Sequence, residues 1–381
     1  MTDREYDVLV YGAGPAGISA AIAAAARGQC TLLIDDGPDV GGASVCCLLN
    51  TWHGEHDAPH MELVRELSRK AWGRQLFEPE DFSRAFRRRL GAAGVKLLLN
   101  AGISRVKCKN GIIRSAAFAA GEGRVKLAAW SYIDASENMA LTRLALDCYD
   151  GVLGNSSIAV LARIGGIDTR VQGVFDASVL GQYAAQFRQE QALDELPAWL
   201  PFPELIPCLR GGTAVLSAAG EGIRVGEGAT GLTAAEDRCR ENIFEALGFL
   251  QRNIPGYENC YLIQFAPRPL YLEAPRPVRL RKESAATYES DAIEDISVMR
   301  YHSAEGPVPE LAVPLGGIMC RGIGNLLLAR TESMRPDQVP LLLACGDAAG
   351  RVASQSVLYD GDIAKLDAER LRKALTSNFN D

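Results

Sequence analysis

A glycine-rich segment, Gly12-Ala13-Gly14-Pro15-Ala16-Gly17, carries the strongest chemical signal in the sequence. It follows a short apolar run and precedes an alanine-rich run, and Asp35 ends the next apolar run. Between a strand and a helix, such glycines permit a tight turn, close approach to a diphosphate and close helix–strand packing. The helix N-terminus attracts phosphate groups, and an acid such as Asp35 accepts hydrogen bonds from a ribose. We predict a dinucleotide site here rather than an unliganded turn.

Two further segments favour FAD over NAD. Asp36 is followed by Gly41-Gly42-Ala43-Ser44, where a flavin requires backbone without bulky side chains. A second phosphate-facing turn is predicted at Gly346-Asp347-Ala348-Ala349-Gly350, between an apolar strand at 341–344 and a helix starting near Arg351. Convergence of two turns from opposite ends of the chain on one dinucleotide is typical of FAD. Because no second complete G-x-G-x-x-G is found, a dedicated NAD(P)H domain is not expected.

The elements that must position these residues follow from the apolar pattern. In order, the pattern predicts a strand at 6–11, a helix at 18–27, a strand at 31–34, helices at 62–72 and 79–90, a strand at 95–99, an antiparallel meander over 103–129, a strand ending at Asp134, a helix with a capping box at Thr233–Glu236 and a strand at 325–329. The predicted fold class is α/β, with a Rossmann-like FAD-binding domain (a parallel sheet with an antiparallel meander). This domain is assigned to residues 1–150 and 315–381, and an inserted α+β substrate domain to 151–314.

Composition excludes several classes of partner. The formal net charge of −7 argues against nucleic-acid binding, and the basic run Arg87-Arg88-Arg89 fits a solvated helix face. No apolar stretch reaches the roughly 20 residues of a membrane span, and no signal peptide is evident, so a cytoplasmic location is expected. The ten cysteines lack zinc-site spacing. We interpret the adjacent Cys46 and Cys47 as inert thiols and expect no metal.

His53 is the first candidate catalytic residue. It follows Trp52 at a distance from Gly41-Gly42 that can bring it beside a flavin ring, where it could act as a general base. The alternative is a structural or surface histidine. His56 and His60 lie nearby, but no paired carboxylate or cysteine accompanies them at ligand spacing.

Most of the chain resembles the FAD-dependent oxidoreductases related to the fumarate reductase and succinate dehydrogenase flavoproteins. The resemblance is carried by VLVYGAGPAGISAAIAAAARG from Val8, LLIDDGPDVGGAS from Leu32, CCLLNTWHG from Cys46, SYIDAS from Ser131, NIPGYENCYLIQFAPR from Asn253, VPLGGIMCRGIGNLLLAR from Val313 and CGDAAG from Cys345. It implies a discontinuous FAD domain, with Ala135 in a cofactor-proximal turn, and an active site where the inserted domain meets the flavin. It also implies a catalytic role for His302 at the domain junction. The alternative is that His302 is a loop histidine with no role.

Arginines near the return to the FAD domain are further candidates. Arg321 and Arg330 can place positive charge near the flavin or hold a substrate carboxylate, the alternative being solvated charge. Arg268 and Arg276 are weaker candidates for anchoring the substrate.

The chain departs from the family pattern in three places. After Ala266-Pro267 the expected Gly-x-Arg-Glu-Ser/Thr-Arg is absent, and Glu273, Arg276 and Arg279 are out of register. Asp134-Ala135-Ser136-Glu137 lacks the usual Thr-Gly, and the segment between Arg330 and Cys345 is short and has no histidine. These changes affect the predicted catalytic apparatus more than the cofactor site.

The leading hypothesis is an FAD-dependent oxidoreductase that oxidises or desaturates a small organic substrate by hydride transfer to flavin N5. The electron acceptor is external or is O₂, and a homo- or hetero-oligomer is compatible with the sequence. One alternative is an FAD-dependent hydroxylase that uses O₂ and an external reductant. Another is a catalytically altered flavin-binding subunit that supports a partner enzyme.

Overall fold

The computed structural model describes most of the chain. The described residues are 5–54, 58–121, 123–147, 157–172, 177–190, 204–218, 222–225, 230–272, 297–301, 311–320, 322–329 and 335–376. The helices are α1 Pro15–Ala25, α2 Ala43–Cys46, α3 Met61–Leu67, α4 Pro79–Ala92, α5 Ala140–Ala145, α6 Ala177–Glu190, α7 Gly231–Asn253, α8 Val339–Val357 and α9 Ala368–Thr376. The strands are β1 Tyr6–Tyr11, β2 Thr31–Ile34, β3 Thr51–Trp52, β4 Arg69–Ala71, β5 Arg74–Leu76, β6 Lys96–Leu98, β7 Ala101–Lys109, β8 Ile112–Ala120, β9 Gly123–Leu127, β10 Ala129–Asp134, β11 Ser157–Ala159, β12 Leu161–Gly165, β13 Glu204–Pro207, β14 Ala214–Ser217, β15 Ile223–Arg224, β16 Tyr261–Phe265, β17 Leu270–Tyr271, β18 Ser297–Tyr301, β19 Leu311–Pro314 and β20 Leu326–Leu328.

A five-stranded parallel sheet forms the base of the molecule, and it confirms the predicted α/β class. Its strand order is β20-β10-β1-β2-β6, so a strand from the last quarter of the chain pairs with β10 and joins the sheet formed by strands of the first half. Helices α1 and α8 cover one face, where Val8, Val10 and Leu33 contribute to the core. The apolar runs of β1 and β2 are almost continuous because strands of such a sheet are buried on both faces.

An antiparallel meander of β7, β8 and β9 packs on the opposite face of the sheet, as the sequence predicts. Residues of the meander such as Ile113 and Phe118 share one core with Leu9 and Tyr132 of the central strands. Asn110 and Gly111, both with positive φ, turn β7 into β8. The predicted strand at 95–99 corresponds to β6, and the predicted strand at 325–329 corresponds to β20.

Part of the middle region builds separate antiparallel sheets. Strands β13, β14, β12 and β16 form one of them, and it packs against α7 through residues such as Ile243, Leu247 and Leu250. The predicted helix is therefore present, but its start differs. Helix α7 begins at Gly231 with Thr230 as its N-cap, so Thr233 and Glu236 lie inside the helix rather than forming a capping box.

The helix predicted over 62–72 is shorter than expected. Helix α3 ends at Leu67, and the rest of the segment pairs as the antiparallel hairpin of β4 and β5. Trp72 and Gly73 at the hairpin turn both have positive φ, of 50° and 75°. Glycine at this position is thus a hairpin residue and not a helix stop, because such two-residue turns require left-handed backbone.

The largest correction concerns the second predicted turn. The run Leu341–Ala344 is not a strand, and Gly346, Asp347 and Gly350 do not lie in a turn, because all of them belong to helix α8. The run is apolar because α8 is buried on nearly every side, and periodicity alone cannot distinguish such a helix segment from a buried strand. A Cβ on Gly346 would lie 1.9 Å from the Ala16 carbonyl oxygen, and one on Gly350 would lie 2.2 Å from that of Ala20. These glycines allow α8 to pack tightly against α1.

Asp347 lies in the same interface. Its carboxylate accepts a hydrogen bond from Nε of Arg351, one helical turn further on. Burial raises the pKa of Asp347, while the attraction of Arg351 opposes that shift. The residue is paired within α8, and it is not among the residues that line the cleft described below. None of the described helices is both long enough and apolar enough to cross a membrane.

Candidate functional site

The turn between β1 and α1 is held in a conformation that only glycine fits. Gly12 has a φ of +109°, and a Cβ there would lie 2.5 Å from the carbonyl carbon of Ala135. A Cβ on Gly17 would lie 1.7 Å from the Gly12 carbonyl oxygen. Gly14 differs, since its Cβ would meet only the Cα of Gly42, at 3.8 Å. Two of the glycines are therefore required by packing, and the third leaves backbone open to a ligand.

Asp35 braces this turn from the end of β2. Its Oδ2 accepts a hydrogen bond of 2.6 Å from the Ala13 amide, and its Oδ1 accepts one of 2.6 Å from the Gly37 amide. Burial raises the pKa of Asp35, while these hydrogen bonds and the charge of Arg268 stabilise the carboxylate and oppose the shift. The carboxylate is fixed in place at the edge of the turn.

The segment of Gly41 and Gly42 contacts the first turn directly. The Gly41 amide donates a hydrogen bond of 2.7 Å to the Ala13 carbonyl, and a Cβ on Gly42 would lie 2.8 Å from the Gly14 Cα. Both residues have positive φ, of 116° and 55°. Because they adopt this backbone, the start of α2 approaches the start of α1 closely. The sequence placed the two segments in one site, and the structure brings them into contact.

A third turn closes the site after β10. The Asp134 carboxylate accepts four hydrogen bonds, from the amide and the hydroxyl of both Ser136 and Thr142, at 2.6 to 3.0 Å. The Ala135 amide donates to the Tyr11 carbonyl at 2.7 Å, which places Ala135 opposite Gly12. Ser136 thus takes the place of the Thr-Gly pattern, and its hydrogen bonds to Asp134 hold this turn.

These three turns and a segment of the middle region enclose one cleft of about 310 Å³. Such a volume lies at the lower end of the roughly 300–1,000 Å³ of small-molecule sites. The cleft is lined by Tyr11, Gly12, Gly14, Asp35, Asp36, Gly42, Ala135, Ser136, Glu137, Asn138, Leu232, Arg268, Pro269 and Tyr271.

Arg268 is one cleft residue whose position the sequence did not predict. Its Nη2 donates a hydrogen bond of 2.5 Å to Asp36 Oδ1 and lies 3.7 Å from Asp35 Oδ1. Although burial disfavours its charge, the hydrogen bond with Asp36 raises the pKa of Arg268. The sequence suggested Arg268 as a weak substrate anchor, whereas the structure places it beside Asp35 and Asp36 in the cleft of the glycine turns. Only the folded chain brings residues 232 positions apart together.

Glu137 is a second such residue. Its Oε1 lies 3.8 Å from the position that a Cβ on Gly42 would take, so a carboxylate stands beside the contact of the two glycine turns. The departure from Thr-Gly at this turn signalled a bulkier side chain in the sequence. It did not show that the carboxylate lies beside the contact of the two glycine turns.

A family model described as FAD dependent oxidoreductase matches residues 7–276. The chain belongs to this family. It is therefore an FAD-dependent oxidoreductase, and FAD is its cofactor. The prediction of FAD is confirmed, although the second turn that supported it is absent.

One curated relative matches a short part of the chain. A digeranylgeranylglycerophospholipid reductase from Picrophilus torridus is 41% identical over 81 residues, which are 20% of this chain and 19% of that protein. The chain is thus matched to about a fifth of the length of this curated relative.

Two solved structures share the fold across almost the whole chain. One is a geranylgeranyl bacteriochlorophyll reductase-like protein from Thermoplasma acidophilum, with 16% identity and a TM-score of 0.52, covering 97% of this chain and 90% of that one. The other is p-nitrophenol 4-monooxygenase from Pseudomonas putida, with 12% identity and a TM-score of 0.52, covering 97% and 83%. At these identities the likeness shows the fold alone.

The residues of the cleft fit FAD on three observations. The backbone at Gly14 is open, and no side chain of the described residues caps the N-terminus of α1. The Ser44 hydroxyl at the start of α2 is buried and has no hydrogen-bond partner among the described residues. The Asp35 carboxylate is fixed at the end of β2, where a ribose is bound in this fold. Glu137 stands beside the contact of the two glycine turns, where a carboxylate opposes a diphosphate.

The predicted base His53 lies at a different place, beside the start of α8. Its amide donates to the Asp337 carbonyl at 2.9 Å, and its Nε2 lies 3.8 Å from Asp337 Oδ2. Arg335 donates two hydrogen bonds to the same carboxylate, at 3.1 and 2.5 Å. The His53 side chain is 50% exposed, and it does not line the cleft that the three turns enclose.

The other predicted catalytic residues, His302, Arg321 and Arg330, lie outside the described residues. His56 does as well, and His60 is buried against Phe86, where burial lowers its pKa to about 4. Among the described residues there is no group of three or more metal-ligating side chains.

Cys46 and Cys47 are free thiols, and both are buried. Burial raises the pKa of Cys46 to about 11 and that of Cys47 well above its usual range. Both thiols are therefore protonated at neutral pH, as expected of unreactive cysteines.

Proposed function

We propose that this FAD-dependent oxidoreductase oxidises or desaturates a small organic substrate. The observation that carries the proposal is the direct contact of the Gly12–Gly17 turn with Gly41-Gly42 beside the fixed carboxylate of Asp35. Bound FAD supplies a two-electron acceptor whose N5 atom takes up hydride. The resemblance to fumarate reductase and succinate dehydrogenase flavoproteins supports chemistry at a carbon–carbon or carbon–oxygen bond.

The residues of the cleft have separate roles in this proposal. The backbone at Gly14 and at the start of α1 would hold the diphosphate, because helix N-termini attract anions. Asp35 would accept hydrogen bonds from the ribose, and the orphaned Ser44 hydroxyl would donate to the cofactor at the start of α2. Arg268 would close the ribose end by its ion pair with Asp36.

We propose His53 as the general base of the reaction. The Asp337 carboxylate lies 3.8 Å from its Nε2, and Arg335 in turn holds that carboxylate by two hydrogen bonds. An imidazole that is half exposed can accept a proton from a substrate and release it to water. His302 stays a candidate catalytic histidine at the domain junction, and Arg321 and Arg330 stay candidates for placing positive charge near the flavin or holding a substrate carboxylate.

We also propose that residues 1–150 and 315–381 form the FAD domain, with 151–314 as a substrate domain. The position of β20 beside β10 in the parallel sheet supports a unit built from both ends of the chain. The separate antiparallel sheets of the middle region support a second unit. A cytoplasmic location stays a prediction from sequence.

The experiment uses the purified holoprotein, mixed anaerobically with small alcohols and carboxylic acids in their saturated and unsaturated forms. Bleaching of the flavin absorbance by a saturated member, with recovery of its oxidised product, is the expected result. His53→Gln should slow the bleaching at least about 100-fold if His53 removes the proton. Unchanged bleaching in that variant would remove His53 from the mechanism but leave the reaction in place.

Two alternatives are separated by the same preparation. Reoxidation of the chemically reduced protein by an unsaturated member, without any bleaching by its saturated form, would establish a reductase, the activity named for the Picrophilus torridus relative. Product oxygen derived from isotope-labelled O₂, in the presence of an external reductant, would establish a hydroxylase. The first result would reverse the proposed direction of the reaction. The second would replace the proposed reaction with a hydroxylation.

A further inference from the structure

A second cavity, of about 600 Å³, adjoins α2. Gly42, the N-cap of α2, lines the nucleotide cleft, whereas Val45 and Cys46 of α2 line the cavity. The other wall is α4, and Pro267 of the middle region closes one side. The cavity is about as large as sites that enclose a drug-sized ligand.

The floor of the cavity is mostly apolar. Pro38, Val45, Leu48, Pro79 and Pro267 supply most of it, and Leu48 is only 3% exposed. Cys46 adds a thiol that burial keeps protonated. Such a floor favours the apolar part of a ligand, because removing apolar surface from water contributes roughly 25 cal/mol per Å².

The rim of the cavity is positively charged. Both acids of the rim are already paired, since Asp39 accepts a hydrogen bond of 2.6 Å from Arg87 and Glu80 accepts one of 2.7 Å from Arg163. Arg84 and Arg88 also line the cavity, and neither forms a hydrogen bond or ion pair with any described residue.

Arg84 and Arg88 lie one turn apart on α4, so their side chains project from the same face of the helix. Arg89 is different, because it pairs with Glu62 and does not line the cavity. The basic run of α4 is therefore not a uniform solvated face. Two of its arginines line a mostly apolar cavity whose two acids, Asp39 and Glu80, are paired with other arginines.

We propose that this cavity binds an amphipathic anion, with an apolar chain and one carboxylate or phosphate-ester head group. The chain lies against Val45, Leu48 and Pro267, and the head group is bound by Arg84 and Arg88. Guanidinium groups suit this role because they bind both carboxylates and phosphates through two parallel hydrogen bonds. The proposal does not depend on which reaction the enzyme catalyses.

A ligand in this cavity would also contact the wall that shapes the cofactor cleft. A Cβ on Gly41 would lie 2.4 Å from Cγ2 of Val45, so that side chain packs directly on the glycine segment. The Gly41 amide is bonded in turn to Ala13 of the first turn. Binding in the cavity is therefore expected to change the absorbance or fluorescence of bound flavin.

The test measures binding to the FAD-loaded protein by calorimetry and by flavin fluorescence, with decanoate, decyl phosphate, decanol and inorganic phosphate as probes. At least one of the two amphipathic anions should bind at least about tenfold more tightly than decanol and than inorganic phosphate. The stronger of the two anions identifies the head group as carboxylate or phosphate ester. Equal affinity for decanol, or equal affinity for inorganic phosphate, would overturn the proposal.

Variants of α4 locate the binding. Arg84→Ala together with Arg88→Ala should weaken anion binding about tenfold or more. Arg89→Ala removes a charge of the same helix outside the cavity and should leave the affinity unchanged. Flavin content and circular dichroism show that both variants are folded. Equal affinities of wild type and the double variant would place the anion elsewhere and contradict the proposal.

Discussion

Two glycine-rich segments of this chain, residues 12–17 and 346–350, have similar composition but different surroundings. In the first, Gly14 leaves open backbone in a cleft, while Gly12 and Gly17 satisfy close contacts within the turn. In the second, Gly346 and Gly350 are buried in α8 and face the backbone of α1. The two segments even contact one another, because the Cβ that Gly346 lacks would clash with Ala16. Glycine thus marks close approach, and only the neighbouring group shows whether a ligand or a helix makes that approach.

The largest expected effect comes from Gly346→Val. Its side chain would overlap the Ala16 carbonyl at the α1–α8 contact, and overpacking of this kind costs about 3 kcal/mol or more. The loss should appear as a lower free energy of unfolding in the FAD-free protein, measured by urea denaturation. A variant that unfolds like wild type but fails to bind FAD would instead restore the interpretation of a phosphate-facing turn.

Gly14→Val should have the opposite profile. The φ of Gly14 is −73°, and its Cβ meets no atom closer than 3.8 Å, so the fold accepts a side chain at a cost of at most about 1 kcal/mol. The side chain would occupy the open backbone of the cleft and lower FAD affinity by roughly 100-fold, about 2.7 kcal/mol. Reconstitution of the FAD-free protein, followed by flavin fluorescence, measures that affinity. Comparable losses of stability and affinity would remove the distinction between the two segments.

Glu137→Gln tests the carboxylate that stands beside the contact of the two glycine turns. Removal of a carboxylate near the two glycine turns should tighten FAD binding about fivefold, because two unit charges about 4 Å apart in water interact by about 1 kcal/mol. The sign is opposite to that of Gly14→Val, and the gain should shrink as salt is added. Weaker binding in this variant would show that Glu137 accepts a hydrogen bond from the cofactor.

The same comparison explains what the sequence could predict. The strands β1 and β2 and the turn of Gly12 were predictable, because a buried parallel strand, a glycine turn and a helix are coded by neighbouring residues. The run 341–344 was not, since a fully buried helix has no polar face to reveal its period. The pairing of Arg268 with Asp36 could not be predicted from a local pattern either, because only the fold brings these two residues together.

Arg268→Ala is expected to have the smallest effect and to show how far the middle region contributes to the cofactor cleft. The pair of Arg268 with Asp36 is partly exposed, and such pairs contribute about 1 kcal/mol or less, so FAD should dissociate about threefold faster. Stopped-flow fluorescence measures that rate after the holoprotein is mixed with an excess of an FAD-binding apoprotein that captures the released FAD. Arg170→Ala is the matched control. It breaks the surface ion pair of Arg170 with Asp168, and neither residue lines the cleft. If both variants release FAD at the wild-type rate, FAD is held by the three turns within 11–42 and 135–138 without help from Arg268, and the contact from Arg268 only anchors the segment that carries it.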